Sequence, residues 1–191
     1  ISFDIETISN EGAPDSSKDI IGMISITFNP QYGQDSSVVL VSKHIITPGK
    51  NVRTFANEKE MLKEFLKVID NYDPDVLIGY NINNFDFPYL LARLRENDLM
   101  PLIGRCAQKP ATSRKLGVQY RNTVTGRIIV DAYELVKEAI RKGNLRLKRL
   151  GLGDVSKELL NDQKLDISHS EIYGHWNGTH DQIKKLIEYA R

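Results

Sequence analysis

One cysteine, Cys106, stands in a chain of 191 residues. An internal disulfide is thereby excluded, and the usage fits a reducing, intracellular compartment. No apolar run reaches the ~20 residues that a membrane-spanning helix needs, so no membrane partner is expected. No secretory-signal pattern opens the sequence, and there are no internal repeats, low-complexity tracts or P-loop. The histidines are few: His44, His169, His175 and His180 are scattered without metal-ligand spacing and read as surface or core residues. A formal net charge of +1 excludes a globally basic surface, so any nucleic-acid contact must come from a local patch. What remains is an ordinary globular composition, 40% hydrophobic and 27% charged, long enough for one well-buried domain. The sequence lacks an initiating Met, begins inside a strand-like run and stops inside a helix-like one. Both ends read as cut, and a piece of a longer polypeptide is expected.

The informative stretch is Phe3-Asp4-Ile5-Glu6-Thr7. On a strand, Asp4 and Glu6 share one side and Phe3 and Ile5 the other. One side can bury while the other presents two carboxylates ~7 Å apart along the strand. Like charges at that spacing raise each other's pKa, and a cation between them removes the penalty. Oxygen ligands without His or Cys favour Mg²⁺ or Mn²⁺ over zinc. A solvated edge strand would carry the same pair, so the pair alone assigns nothing.

Residues 9–19 are turn formers and read as an exposed loop. Ile20 to Phe28 and Val38 to Val41 read as strands, completing an antiparallel meander with the first. Asn57 and Glu60 form a capping pair for a helix to about Asn71, with Met61, Leu62, Phe65, Leu66 and Ile69 on one stripe. Val76 to Gly79 is short and continuously apolar, as in a strand buried on both faces, so a crossover onto a parallel neighbour is expected. In the segment that follows, Gly79-Tyr80-Asn81 through Phe85-Asp86, Pro88 suits the first turn of a helix to about Asn97. Asp86 then falls at the helix N-terminus, where the dipole favours a carboxylate, either as a capping group or as a ligand. Leu116 to Asp131 reads as a β-hairpin turning near Asn122 or Thr125-Gly126, projecting from the domain and carrying Arg121 and Arg127. Asp131 to Ile140 reads as a helix. The basic run 141–149 is equally a solvated helix face or a phosphate-contacting strip. The last helix starts near Thr179 or His180 and carries Ile183, Leu186, Ile187 and Ala190 inward, with Tyr189 at the stripe's edge. Trp176 is expected to pack the helix before the last loop.

Taken in order, these segments resemble the three exonuclease motifs of family B DNA polymerases, most like the archaeal ones. Residues 3–7 resemble the first motif, 79–86 the second, and Glu188-Tyr189-Ala190-Arg191 the opening of the third, which reads Tyr-x-x-x-Asp. Gly126 to Asp131 and Leu145 to Leu150 resemble the stretches between, so the similarity covers nearly the whole chain. The third motif's Asp would be residue 193, outside the sequence.

The resemblance implies a ribonuclease H-like α/β fold: a mixed sheet, antiparallel meander plus parallel strand, flanked by helices and interrupted by an inserted hairpin. It implies one exonuclease domain over 1–191, intracellular and nucleoid-associated, acting on the 3′ end of single-stranded DNA beside further polymerase domains. The cofactor implied is a pair of Mg²⁺ or Mn²⁺ ions, with Asp4 bridging both, Glu6 on the nucleophile side and Asp86 on the second ion. Tyr189 would orient the attacking water, and the backbone at Thr7, Asn81 and Phe85 would grip the terminal nucleotides, Phe85 by stacking. Each has a plainer alternative: Asn81 as a loop tie, Phe85 as core, Tyr189 as a helix-edge residue. Two other functions stay in view, a stand-alone RNA-trimming exonuclease of the same superfamily and a catalytically silent single-stranded-DNA-binding module. With the final Asp outside it, the piece is expected to be weak or inactive by itself.

Overall fold

Alternation along the first strand decides the architecture, because its two faces feed two different cores. The structure is a computed structural model that describes residues 1–46, 49–161 and 167–190, excepting the side chains of His169 and Ser170. Strand β1 (Ser2–Ile8) is followed by β2 (Ile20–Tyr32), β3 (Asp35–Val41) and a short β4 (Val52–Thr54). Helix α1 (Glu58–Tyr72) leads to β5 (Val76–Gly79), and helix α2 (Asp86–Glu96) to β6 (Thr112–Leu116) and β7 (Gln119–Thr123). Strand β8 (Ile128–Asp131) precedes α3 (Ala132–Arg141), α4 (Leu152–Leu160), α5 (His169–Trp176) and α6 (His180–Tyr189). The main sheet runs β4-β3-β2-β1-β5-β8, and β6-β7 form a separate ribbon.

Strands β1, β2 and β3 are the expected antiparallel meander. The helix α1 crossover returns the chain parallel to β1, and β8 then lies parallel to β5. Phe3, Ile5, Ile24, Ile26, Val38 and Leu40 bury against Met61, Leu62 and Phe65 of α1 and Leu90, Leu91 and Leu94 of α2. Phe3 meets Phe65 edge-on, ring centroids 5.4 Å apart. The opposite face packs Ile8, Met23, Val39 and Val41 against Ile172 and Trp176 of α5 and Ile183, Leu186 and Ile187 of α6. Helix α1 starts as its sequence suggests: Asn57 Oδ1 accepts the Glu60 N–H at 3.0 Å. Asp73, in the left-handed region at φ 48°, ends it.

Four expectations need correction. Strand β5 is buried on one face only, with Leu77 sealed and Ile78 36% exposed. Among the described residues, the second core draws none from β5. The hairpin is β6–β7, turning at Gly117 with φ +64°, and not 116–131. Val124 is buried in the first core and Gly126, at φ +82°, swings the chain out, so 128–131 joins the main sheet beside β5. Nor does the ribbon stand free. Asn122 Nδ2 donates to the Asn83 carbonyl at 2.9 Å, and the Tyr120 N–H to Asn84 Oδ1 at 3.1 Å. The basic run leaves α3 at Arg141 and continues as irregular chain, which removes the helix-face reading.

Candidate active site

Parallel strands β1 and β5 pair at Ser2 and Ile78, and β5 ends one residue later. The sheet therefore splits at their carboxyl ends, where open α/β sheets bind ligands. Beyond the split the Ile5 N–H has no β5 carbonyl to meet. It donates instead to Asp86 Oδ1 at 3.2 Å. Asp86 is the first residue of α2, whose N-cap is Phe85 with no side-chain cap bond. The capping alternative for Asp86 thus gives way to a carboxylate reaching across to β1.

Asp86 is 2% exposed. Burial first, and the neighbouring Asp4 carboxylate second, push its carboxyl up to about 8, against the opposing pull of the Ile5 and Asp86 N–H groups. Asp4 lies within hydrogen-bonding reach of it. At neutral pH and without a cation, the Asp4–Asp86 pair favours holding a proton between its two carboxyls. This is an all-oxygen anionic donor set that suits a hard divalent cation, which would replace the proton.

Glu6 faces the same side of β1 as Asp4. Asp4 pairs with Ser25 and Glu6 with Met23, in the rows that feed the second core. Glu6 is 5% exposed. Among the described residues, however, no three His, Cys, Asp or Glu side chains gather closely enough to hold one ion. Asp4 and Asp86 form a close pair, and Glu6 is their neighbour on the same face of β1. A rise of ~7 Å separates positions 4 and 6, and the pairing register shifts directly after Glu6. Tyr189, the last residue of α6, is half-buried against the second core, which places it on this face too.

The loop from β5 into α2 is built around two constraints. A Cβ on Gly79 would stand 2.8 Å from the Ile82 Cβ, so only glycine lets Ile82 fold back beneath it. Asn81 adopts φ 60°, a conformation Asn tolerates better than most residues. Its carbonyl accepts from the Asn84 and Phe85 N–H groups, both at 3.1 Å. The loop is gripped from below by Asp131, whose Oδ1 accepts the Asn81 N–H at 2.9 Å and Oδ2 the Asn83 N–H at 3.1 Å. Sequence reasoning gave Asp131 only a boundary role. The signal available was its position at a strand end and helix start, since Oδ1 also caps α3 through the Tyr133 N–H at 3.0 Å.

The other candidates divide. Phe85 is partly buried against the first core, its ring 5.7 Å from that of Tyr89. Thr7 is 4% exposed, opposite Ile21 where the register shifts. Arg121 is exposed on β7. Arg127 is not a hairpin residue. Its guanidinium, 3% exposed, binds Asp73 at 2.8 Å and the Ile103 carbonyl at 2.7 Å, and also the Pro74 carbonyl. It is thereby committed to joining the end of α1 to the chain entering β8. No His joins a metal-binding group among the described residues.

A mixed sheet between two helical layers, with buried acids at a split between central parallel strands, defines a ribonuclease H-like nuclease domain. Residues 1–150 match the family model described as DNA polymerase family B, exonuclease domain. The chain belongs to that family. It is 34% identical over 207 residues to a DNA polymerase delta catalytic subunit of Schizosaccharomyces pombe, covering 100% of this chain and 18% of that one. A DNA polymerase of Thermococcus aggregans is 32% identical over 191 residues, covering 100% and 10%. One from Desulfurococcus sp. (strain Tok) is 38% identical over 190 residues, covering 100% and 23%. The chain thus spans between a tenth and a quarter of the length of these relatives.

Proposed function

We propose that this domain removes 3′-terminal nucleotides from single-stranded DNA ends as the proofreading exonuclease of a DNA polymerase whose synthetic domains share its parent chain. The observation that carries this reading is the Asp4–Asp86 pair, two carboxylates held together in a buried notch at a cost the fold does not need. Divalent ions, Mg²⁺ or Mn²⁺, would supply an activated water and a stabilised leaving 3′-oxygen. Asp4 and Asp86 would hold them, with Glu6 completing the nucleophile side. Tyr189 would orient the water through its hydroxyl, and Asn81, Phe85 and the Thr7 backbone would seat the terminal nucleotides. Arg121 would meet a phosphate from the ribbon. Because no three acids gather closely enough to hold one ion among the described residues, residues 1–191 alone are expected to cleave weakly.

The test is degradation of a 5′-labelled oligonucleotide with Mn²⁺, comparing the parent chain with its Asp4→Ala variant. Laddering from the 3′ end that vanishes in the variant supports the reading. Equal rates would overturn it. Binding without cleavage in both would favour a silent single-stranded-DNA module.

A further inference from the structure

The geometry points to Asp131 as the positioning residue of this site: its carboxylate fixes the Asn81–Asn83 loop and, through it, the Asp86 carboxylate against β1. The inference deepens the reading of Asp86 as a metal ligand and rests on it. Asp131 is 5% exposed and ends β8, directly beside Gly79 in the parallel register. One side chain there takes three backbone N–H groups, from Asn81 at 2.9 Å, Asn83 at 3.1 Å and Tyr133 at 3.0 Å. It joins three segments that meet at the carboxyl ends of the strands: the β5 exit, the loop to α2 and the start of α3. Charge-assisted bonds of this kind are the strong ones, and in a buried setting each is worth more than a neutral bond.

The route to Asp86 is short. Asn81, held at φ 60°, gives its carbonyl to the Asn84 and Phe85 N–H groups, and Ile82 gives its carbonyl to Phe87 at 3.0 Å. Asp86 lies between those two bonded residues. Its Oδ1 then meets the Ile5 N–H at 3.2 Å. The β6–β7 ribbon holds the same loop from the other side, through Asn122 on Asn83 and Asn84 on Tyr120. Asp131 ties the first half of the loop through its backbone N–H groups. Without it the Asn81 and Asn83 N–H groups lose their acceptor, and the turn that aims Asp86 loosens.

The experiment reads amide hydrogen exchange at Ile5, Asn81 and Asn83 in the parent chain and in Asp131→Ala, Asp131→Asn and Glu58→Gln. Asp131→Ala is expected to lower protection at Asn81 and Asn83 by roughly tenfold or more, the scale of one lost bond to a charged group. Protection at Ile5, the remote reporter of Asp86, should fall several-fold as well. Asp131→Asn keeps one acceptor and the α3 cap, so it should fold normally and lie between. Glu58→Gln weakens the fold elsewhere and should leave all three amides in place. A Mn²⁺ titration on the same proteins should show affinity falling about tenfold in Asp131→Ala, as when an outer partner of a ligand is lost. Unchanged Asn81 and Asn83 protection would overturn the inference, and so would their loss with Ile5 unmoved. Should the unsubstituted chain fail to bind Mn²⁺, the metal-ligand reading of Asp86 fails, while the three amides still decide whether Asp131 positions it.

Discussion

Two pairs of ionisable side chains in this domain, Glu58–Arg93 and Asp4–Asp86, are opposites. Glu58 and Arg93 carry opposite charge, are almost fully enclosed, and meet at 2.6 Å. Both are bonded further: Glu58 accepts from the Ile21 N–H at 2.7 Å and Asn97 at 3.0 Å, and Arg93 donates to the Ser16 carbonyl at 3.0 Å. That pair ties α1, α2, β2 and the 9–19 loop into one body. Asp4 and Asp86 are both acids, and burial pushes the Asp86 carboxyl up to about 8. The first pair is complete within the protein. The second is complete only with a proton or a cation, and that distinguishes a structural buried charge from a functional one.

The sharpest break of the comparison is to neutralise one member of each pair. Asp86→Asn should cut Mn²⁺-dependent cleavage by roughly a thousandfold, since several kcal/mol of charge stabilisation are lost and each 1.36 kcal/mol is tenfold. Thermal unfolding should show the metal-free variant at least as stable as the parent at pH 8. Glu58→Ala should do the reverse. It leaves Arg93 buried without its partner and should cost about 3–5 kcal/mol in urea unfolding, with cleavage per folded molecule unchanged. A stability loss in Asp86→Asn as large as that in Glu58→Ala would dissolve the distinction.

The second effect is smaller and reads in pH. The Asp86 carboxyl holds its proton to about 8 when folded, against 3.8 for an ordinary aspartate. Between those values the folded state binds more protons than the unfolded one, so stability is highest below the lower value and falls as pH rises through the higher. Metal-free unfolding between pH 5 and 8 should therefore show a decline that Asp86→Asn lacks. Saturating Mn²⁺ should flatten it, because the cation takes the proton's place, and calorimetry near pH 6 should detect proton release on binding. An identical pH slope in Asp86→Asn would show that another group carries it.

The parts of this picture legible in the sequence are those written in local periodicity. Alternation at Phe3 to Ile8, the capping Asn57 and the stripe of α6 each fix their element within a few residues. Residues 3–7 and 79–86 likewise carry their acids in local motifs. What stayed hidden depends on partners distant in the chain. Leucine and isoleucine in β5 look the same whether one face is covered or two. Asp131 looks like a helix start until Asn81, 50 positions away, is seen to need an acceptor. Thr125-Gly126 is a turn signal, but only the pull of Val124 into the core and of β8 onto β5 shows that it ends the ribbon instead of closing it.

The smallest effect separates two arginines that the sequence placed together. Arg121 is exposed on β7, whereas the Arg127 guanidinium is enclosed and bonded to Asp73 and to two carbonyls. A phosphate contact on a single strand contributes about 0.7 to the slope of log affinity against log salt. Arg121→Ala should therefore lower that slope by about 0.7 in fluorescence-anisotropy titrations of single-stranded DNA, with the melting temperature unchanged. Arg127→Ala should leave the slope alone and cost about 1–3 kcal/mol of stability, the range for losing hydrogen bonds from a buried charged group. Its Asp73 bond adds little to this, since the Asp73 side chain is 57% exposed and solvent screens the pair. The carbonyls of Ile103 and Pro74 carry the rest, because no other donor replaces the guanidinium once it is removed. A salt slope that falls in Arg127→Ala as it does in Arg121→Ala would mean that Arg127 leaves Asp73 when DNA binds, and the hairpin and its exit would then act as one surface.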